Sequence, residues 1–281
     1  MEQVQLQPNA RVKVLYVTDP ICSACWAMEP AWRKFLFHYG DAIEFRHIYG
    51  GLVRSWDGFR DAGAGISKPA HVAPHWAEVA LHSGQPINPN VWLTDPLDSS
   101  YPPSKAVHVV RLMAPEQEEN YLRRIRQAVF LEARNIARTD VLTACAADIG
   151  LDVTQFTALY TADLGAVNFQ RDLEETRRLP VRGFPTVIFV QPDGTASVLH
   201  GTQSFSRLER AFLGMASVQK SDRQPTVEEA LFSYGSGTTR EFAELLELTD
   251  EAADQVLAKT GAIRTSVTGG ALWRSKLPVE A

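Results

Sequence analysis

Two short motifs constrain this chain more than anything else in it. Cys22-Ser23-Ala24-Cys25 follows directly on the apolar run Val12–Val17, and Gly183-Phe184-Pro185-Thr186 opens a second apolar run, Val187–Val190, some 160 residues later. Trp26, Ala27, Met28, Trp32, Phe35 and Leu36 carry the i, i+3, i+4 spacing of an amphipathic helix, so the cysteine pair stands at a helix N-terminus. There the first sulfur lies over unpaired backbone N–H groups and the positive end of the helix dipole, which favours thiolate over thiol. Cys22 is therefore read as a nucleophile. Cys25, one turn on, can close a disulfide and expel a bound partner, which makes it the resolving thiol. Pro30 removes one intrahelical hydrogen bond and predicts a kinked rather than a terminated helix.

A structural zinc site is the competing use of such a pair, and it needs four Cys or His ligands. The chain has only Cys22, Cys25 and the distant Cys145; His71 and His75 have ligand-like spacing, but the segment between shows no finger pattern, so no metal is expected. With 281 residues and 45 % hydrophobic content the chain can bury one large core or two smaller ones, and a formal charge of −5 gives no electrostatic reason to expect nucleic acid or an anionic membrane. Met1 to Arg11 lacks the apolar stretch of a secretory signal and no apolar run is long enough to span a bilayer, so the expected location is the cytoplasm. In that compartment a Cys-x-x-Cys pair is kept mostly reduced and reads as catalytic or sensing.

Val12–Val17 and Ile43–Tyr49 read as strands on either side of the cysteine helix, the second ending at Gly50-Gly51. From Ser55 to Gln85 glycines and prolines break the pattern into a long loop with short helical pieces. Helical periodicity then predicts Ser104–Met113, Glu116–Ala137, Asp140–Ile149, Asp152–Ala162 and Gly165–Leu179. Val187–Val190 and Ala196–Leu199 flank a Pro192-Asp193-Gly194 turn and read as a hairpin, followed by a helix over Ser204–Met215. After the polar linker Gln219–Pro225, helices over Val227–Tyr234, Thr239–Leu246 and Asp250–Lys259 precede a hairpin of Ala262–Ser266 and Ala271–Arg274. Three helices and a hairpin are the order of a winged helix. Between Val227 and Arg274, however, eight acidic side chains face four basic ones, and Asp250, Glu251 and Asp254 lie on the helix that would enter a DNA groove. Phosphate repulsion argues for a structural or protein-docking module instead.

Strand, Cys-x-x-Cys, proline-interrupted helix and a distant x-Pro-Thr strand resemble the thioredoxin superfamily. Asp19-Pro20-Ile21-Cys22 to Cys25-Trp26, Glu29-Pro30, Gly50-Gly51-Leu52, Pro103-Ser104-Lys105-Ala106, Asn135-Ile136, Gly150-Leu151-Asp152 and Gly183-Phe184-Pro185-Thr186 are similar to the DsbA family. Within it they resemble the FrnE-like branch and the related cytoplasmic adaptors that present a transcription factor to the Clp protease. The resemblance covers roughly residues 12 to 215. It implies an α/β fold, a thioredoxin-like domain over 1–54 and 180–218 with a helical insertion domain over 55–179, beside which the order of elements adds a C-terminal winged-helix-like α+β module over 226–276. It also implies a redox pair at Cys22 and Cys25 and a cis-proline at Pro185 facing them. An x-Pro bond is the only peptide bond that adopts cis cheaply, and the backbone of Phe184 would be an edge on which a partner peptide could lie. The family's strongest oxidants carry Pro-His between the cysteines; Ser23-Ala24 supplies no basic side chain here.

Phe184, Thr186 and Trp26 are the expected substrate contacts, with core packing beside the disulfide the alternative for Trp26. Asp19 and Glu29 are candidate proton relays for Cys25; the alternatives are an ordinary Asp-Pro turn for Asp19 and a surface salt bridge to Arg33 for Glu29. His47 reads as a half-buried strand histidine, Cys145 as a small buried apolar residue, and Arg123, Arg124 and Arg126 as a solvated helix face opposite Glu116, Glu118 and Glu119. The leading function is a cytoplasmic thiol–disulfide oxidoreductase acting on protein or small-molecule disulfides, with glutathione a candidate redox partner and no bound cofactor. A non-catalytic adaptor that binds a partner for proteolysis through the fold and its C-terminal module, and a glutathione-linked isomerase or transferase, are the alternatives. The intact Cys22/Cys25 pair counts against the last, because such relatives usually hold a single serine at the nucleophile position.

Overall fold

The computed structural model describes residues 11–216 and 218–276; Met1 to Ala10, read above for a leader, lie outside them. In chain order the elements are β1 (Val12–Thr18), α1 (Ser23–Tyr39), β2 (Ile43–Tyr49), α2 (Val72–Ser83), α3 (Val91–Thr94), α4 (Tyr101–Met113), α5 (Glu118–Phe130), α6 (Thr139–Asp148), α7 (Val153–Thr161), α8 (Gly165–Arg178), β3 (Thr186–Val190), β4 (Ala196–His200) and α9 (Phe205–Leu213). The C-terminal module adds α10 (Val227–Tyr234), β5 (Ser236–Thr238), α11 (Thr239–Leu246), α12 (Asp250–Lys259), β6 (Ile263–Val267) and β7 (Gly270–Arg274).

The first sheet has the order β2-β1-β3-β4, with β1 and β2 parallel and the other pairs antiparallel. Alternation along β1 sends Val12, Val14 and Tyr16 to one face, where they pack with Phe35, Phe189 and Phe212 under α1 and α9. Leu15 and Val17 point to the other face with Ile48 and Ile188. Both faces of the sheet are therefore covered around the central strands β1 and β3. Helices α2 to α8 enclose a separate apolar core around Trp76, Trp92, Tyr121, Phe130 and Phe156, inserted between β2 and β3. Gly165 lets α8 cross α4 closely, since a Cβ there would overlap the Lys105 carbonyl.

Three expectations need correction. Val72–Ser83 is a regular helix although it contains Pro74, because a proline in the first turn replaces an N–H that has no intrahelical acceptor. The stretch read as one helix over Glu116–Ala137 ends at Phe130: Ala133 takes the left-handed conformation at φ 51°, and the Arg134 N–H closes back on the Ala128 carbonyl. The C-terminal hairpin gains a third strand, β5, giving the order β5-β7-β6 and the full strand-and-helix sequence of a winged helix. Pro30, by contrast, leaves α1 continuous over all 17 residues.

The C-terminal module is clamped to α1 rather than tethered. Glu241, wholly buried, accepts from Arg33 of α1 at 2.7 Å, from both terminal nitrogens of Arg123 of α5 at 2.7 Å, from Gln85 at 2.7 Å and from the Thr238 N–H at 3.0 Å. Arg33 also donates to the Tyr234 and Ser236 carbonyls, and Lys34 pairs with Glu247. A capping box, Thr238 with Glu241, starts α11 and holds that carboxylate in register; such a cap is worth about 0.5–2 kcal/mol.

Candidate redox site

Strand β1 delivers the chain through Asp19-Pro20-Ile21 to Cys22, which caps α1 in an extended conformation. The Cys22 N–H donates to the Asp19 carbonyl at 3.2 Å, and the Cys25 N–H points at the Cys22 sulfur at 3.1 Å. The two cysteines form a disulfide with Cα atoms 5.2 Å apart. No acidic side chain lies in the first turn of α1, so nothing there offsets the dipole acting on Cys22. Cys22 keeps a small exposure and Cys25 none, the order expected of attacking and resolving sulfurs.

The second motif meets the first through the sheet. Thr186 pairs with Val17, and the Phe184–Pro185 bond is cis. Beyond β4, the Thr202 hydroxyl donates to the Ala24 carbonyl at 3.2 Å, tying that end of the β3–β4 pair to the cysteine motif. The Phe184 ring lies over Gly50, where any Cβ would overlap it. Among the described residues, neither the N–H nor the carbonyl of Phe184 has a backbone partner.

Other expected site residues behave differently. Trp26 is not a substrate contact: it is fully buried, donates to the Pro86 carbonyl at 3.0 Å, stacks on Phe130 and carries Arg123 over its ring. Thr186 is buried too, its hydroxyl on the Gly183 carbonyl and its backbone flanked by Val17 and His200. Glu29 is neither free nor paired with Arg33. It faces inward to Arg126 at 2.5 Å and Arg123 at 3.5 Å, and Arg126 also donates to the Thr18 hydroxyl. The run Arg123, Arg124, Arg126 is accordingly no solvated face: each residue is bound to an acid on another part of the fold, with Arg124 held by Glu132 and Asp148.

Asp19 is fully buried and accepts from the Ile21 and Leu52 N–H groups and the Ser100 hydroxyl. Burial pushes its carboxyl up to about 6 against the lowering effect of those bonds. Cys145 is buried and free, its thiol pushed up to about 11 by desolvation, as suits an inert core residue. His47 is fully rather than half buried and lies 2.6 Å from Glu119, beside Glu118; Arg111 forks Glu118 with two hydrogen bonds and supplies the compensating charge there. His71 and His75, weighed above as zinc ligands, take separate partners: His71 accepts from the Ser67 N–H, and Nε2 of His75 is 3.5 Å from the Ser23 hydroxyl. That contact, and the Ser100 bond to Asp19, were not read from the sequence, because they join residues 52 and 81 positions apart with no local pattern.

A disulfide on a helix N-terminus, paired through the sheet with a cis-proline strand and interrupted by a helical domain, defines a DsbA-like thioredoxin fold. The family model described as "Thioredoxin" matches residues 15–210, and the chain belongs to that family. A ClpXP adapter protein SpxH from Halalkalibacterium halodurans is 30 % identical over 248 residues, covering 86 % of this chain and 80 % of that protein. The cytosolic disulfide reductase DsbM from Pseudomonas aeruginosa superposes with a TM-score of 0.53 at 26 % identity, covering 66 % of this chain and 88 % of that one. A probable DsbA oxidoreductase from Streptomyces coelicolor shares the fold with a TM-score of 0.59 at 16 % identity, over 77 % of this chain and 95 % of its own. Among the described residues no helix is long and apolar enough to cross a membrane.

Proposed function

We propose that this chain is a thiol–disulfide oxidoreductase that exchanges disulfides with a protein or small thiol through Cys22 and Cys25. The observation that carries the reading is the Cys22 sulfur at the helix cap, accepting the Cys25 N–H and bonded to the Cys25 sulfur. In the reduced protein the Cys22 thiolate attacks one sulfur of a substrate disulfide, breaking that bond and expelling its other sulfur as a thiolate. Cys25 then loses its proton and attacks the Cys22 sulfur, releasing the second substrate thiolate and restoring the internal disulfide. Two electrons pass to the substrate in each cycle. Asp19 is the proposed acceptor of the Cys25 proton, since a buried carboxyl raised to about 6 can hold a proton near neutrality. The free N–H and carbonyl of Phe184 are the proposed edge for an extended substrate segment.

A second reading, an adaptor that binds a protein for proteolysis, is favoured by the SpxH relatives, whose similarity extends past the residues matched by the family model. The two readings separate in one experiment. Cys25→Ser should accumulate a mixed disulfide at Cys22 with a partner or with glutathione, and Cys22→Ser should abolish both the adduct and insulin reduction. Absence of any adduct and of wild-type turnover, with partner capture undiminished in both variants, would replace the oxidoreductase reading with the adaptor.

A further inference from the structure

The dipeptide between the cysteines carries no basic group, yet an imidazole reaches the motif from elsewhere in the chain. His75, on the second turn of α2, sets Nε2 3.5 Å from the hydroxyl of Ser23, the first residue of α1 after Cys22. Its side chain lines an open pocket of about 320 Å³ with His71, Pro74, Glu78, Ala64 and Gly65. We infer that His75 is the basic residue of this redox centre, a positioning residue that, when protonated, holds a cation against the Cys22-Ser23 turn and favours the Cys22 thiolate. The inference rests on the oxidoreductase reading above.

The surroundings support that assignment. Ser23 is buried, so a charge beside it is less screened than on open surface. The ionisable groups that line the pocket with His75 are His71, just before α2, and Glu78 on α2 itself, and the Ser23 contact brings the cysteine turn of α1 against the ring. His71, which also lines the pocket, is turned to its own loop, accepting from the Ser67 N–H. Loss of the His75 proton removes the cation, and Cys22 then loses that part of its stabilisation.

The test is the rate of iodoacetamide labelling of Cys22 in the reduced full-length protein, followed by mass spectrometry from pH 4 to 9 in wild type, His75→Gln, His75→Lys and His71→Gln. Wild type should show two inflections, one of them belonging to His75. His75→Gln should show one, with labelling near pH 6 slower by about three- to tenfold. His75→Lys should restore the rate without the second inflection, and His71→Gln should follow wild type. A His75→Gln profile that superimposes on an acidic wild-type profile overturns the inference and leaves the oxidoreductase reading intact. Cys22 titrating in wild type like a free thiol, near ~8.5, overturns both. Should His75→Gln fail to fold, a single inflection in wild type overturns the inference by itself.

Discussion

Replacing Glu241 with glutamine strikes the contact that holds three parts of the chain together. The carboxylate is wholly buried and receives five hydrogen bonds, from Arg33, twice from Arg123, from Gln85 and from the Thr238 N–H. Glutamine keeps the size but turns an NH₂ toward two guanidiniums and leaves them without a counter-charge. Removing one partner of a buried ion pair costs about 3–5 kcal/mol. Arg33 and Arg123 each keep 14 % side-chain exposure, which places this site at the lower end, about 3 kcal/mol. Equilibrium urea unfolding measures the loss, and limited proteolysis in the Gln219–Pro225 linker reports whether the C-terminal module has come away from α1. The pH dependence has a definite sign. Burial alone would raise the Glu241 carboxyl, but Arg123 and Arg33 outweigh it and hold the group below the usual carboxylate range. Its contribution is therefore complete above the unfolded value, ~4.3, and is lost as pH falls through the lower folded value. The gap between wild type and Glu241→Gln should close in that acid window. A stability loss under ~1 kcal/mol at pH 7 with the linker still protected would refute the reasoning.

Asp19 has the opposite sign: its carboxyl is raised by burial to about 6, so the fold favours the protonated form. Its contribution is greatest below the unfolded value, ~3.9, and declines as pH rises to about 6; Asp19→Asn should remove that decline from a stability profile measured across the window. Gly50→Ala drives a methyl into the Phe184 ring beside Pro185, and should cost about 1–3 kcal/mol in urea unfolding while slowing disulfide exchange; an unchanged exchange rate would show that Phe184 does not shape the site.

What could be read from the sequence was what is written locally. The cysteine motif, the strand before it and the Gly183-Phe184-Pro185-Thr186 turn each carry their own periodicity or backbone chemistry, so the sheet and its disulfide pair were legible from short windows. The three arginines of α5 were not. Their spacing matches a surface helix, and only tertiary structure brings Arg126 to Glu29, 97 positions away, and Arg123 to Glu241, 118 away. For Trp26 both a substrate contact and a core place were open, because helical spacing does not tell which wall of the cysteine helix the inserted domain will cover; its burial takes the core place. The turn after α5 escaped notice because an alanine, Ala133, occupies a left-handed position that glycine usually marks. His75 was noticed for its spacing to His71, whereas its consequence lies in meeting Ser23 across 52 residues.

The central claim, that Cys22 and Cys25 are a working redox couple, is tested most directly by equilibrating the protein with glutathione buffers of graded ratio and quantifying the oxidised fraction by thiol trapping and mass spectrometry. A working couple predicts reversible titration of these two cysteines alone, reached identically from the oxidised and the reduced protein, within the range roughly −180 to −300 mV spanned by exchange proteins and the glutathione pool. Cys145 should stay reduced throughout, since burial holds its thiol at about 11. A pair that remains oxidised at every attainable glutathione ratio would behave as a structural crosslink, and would contradict the account.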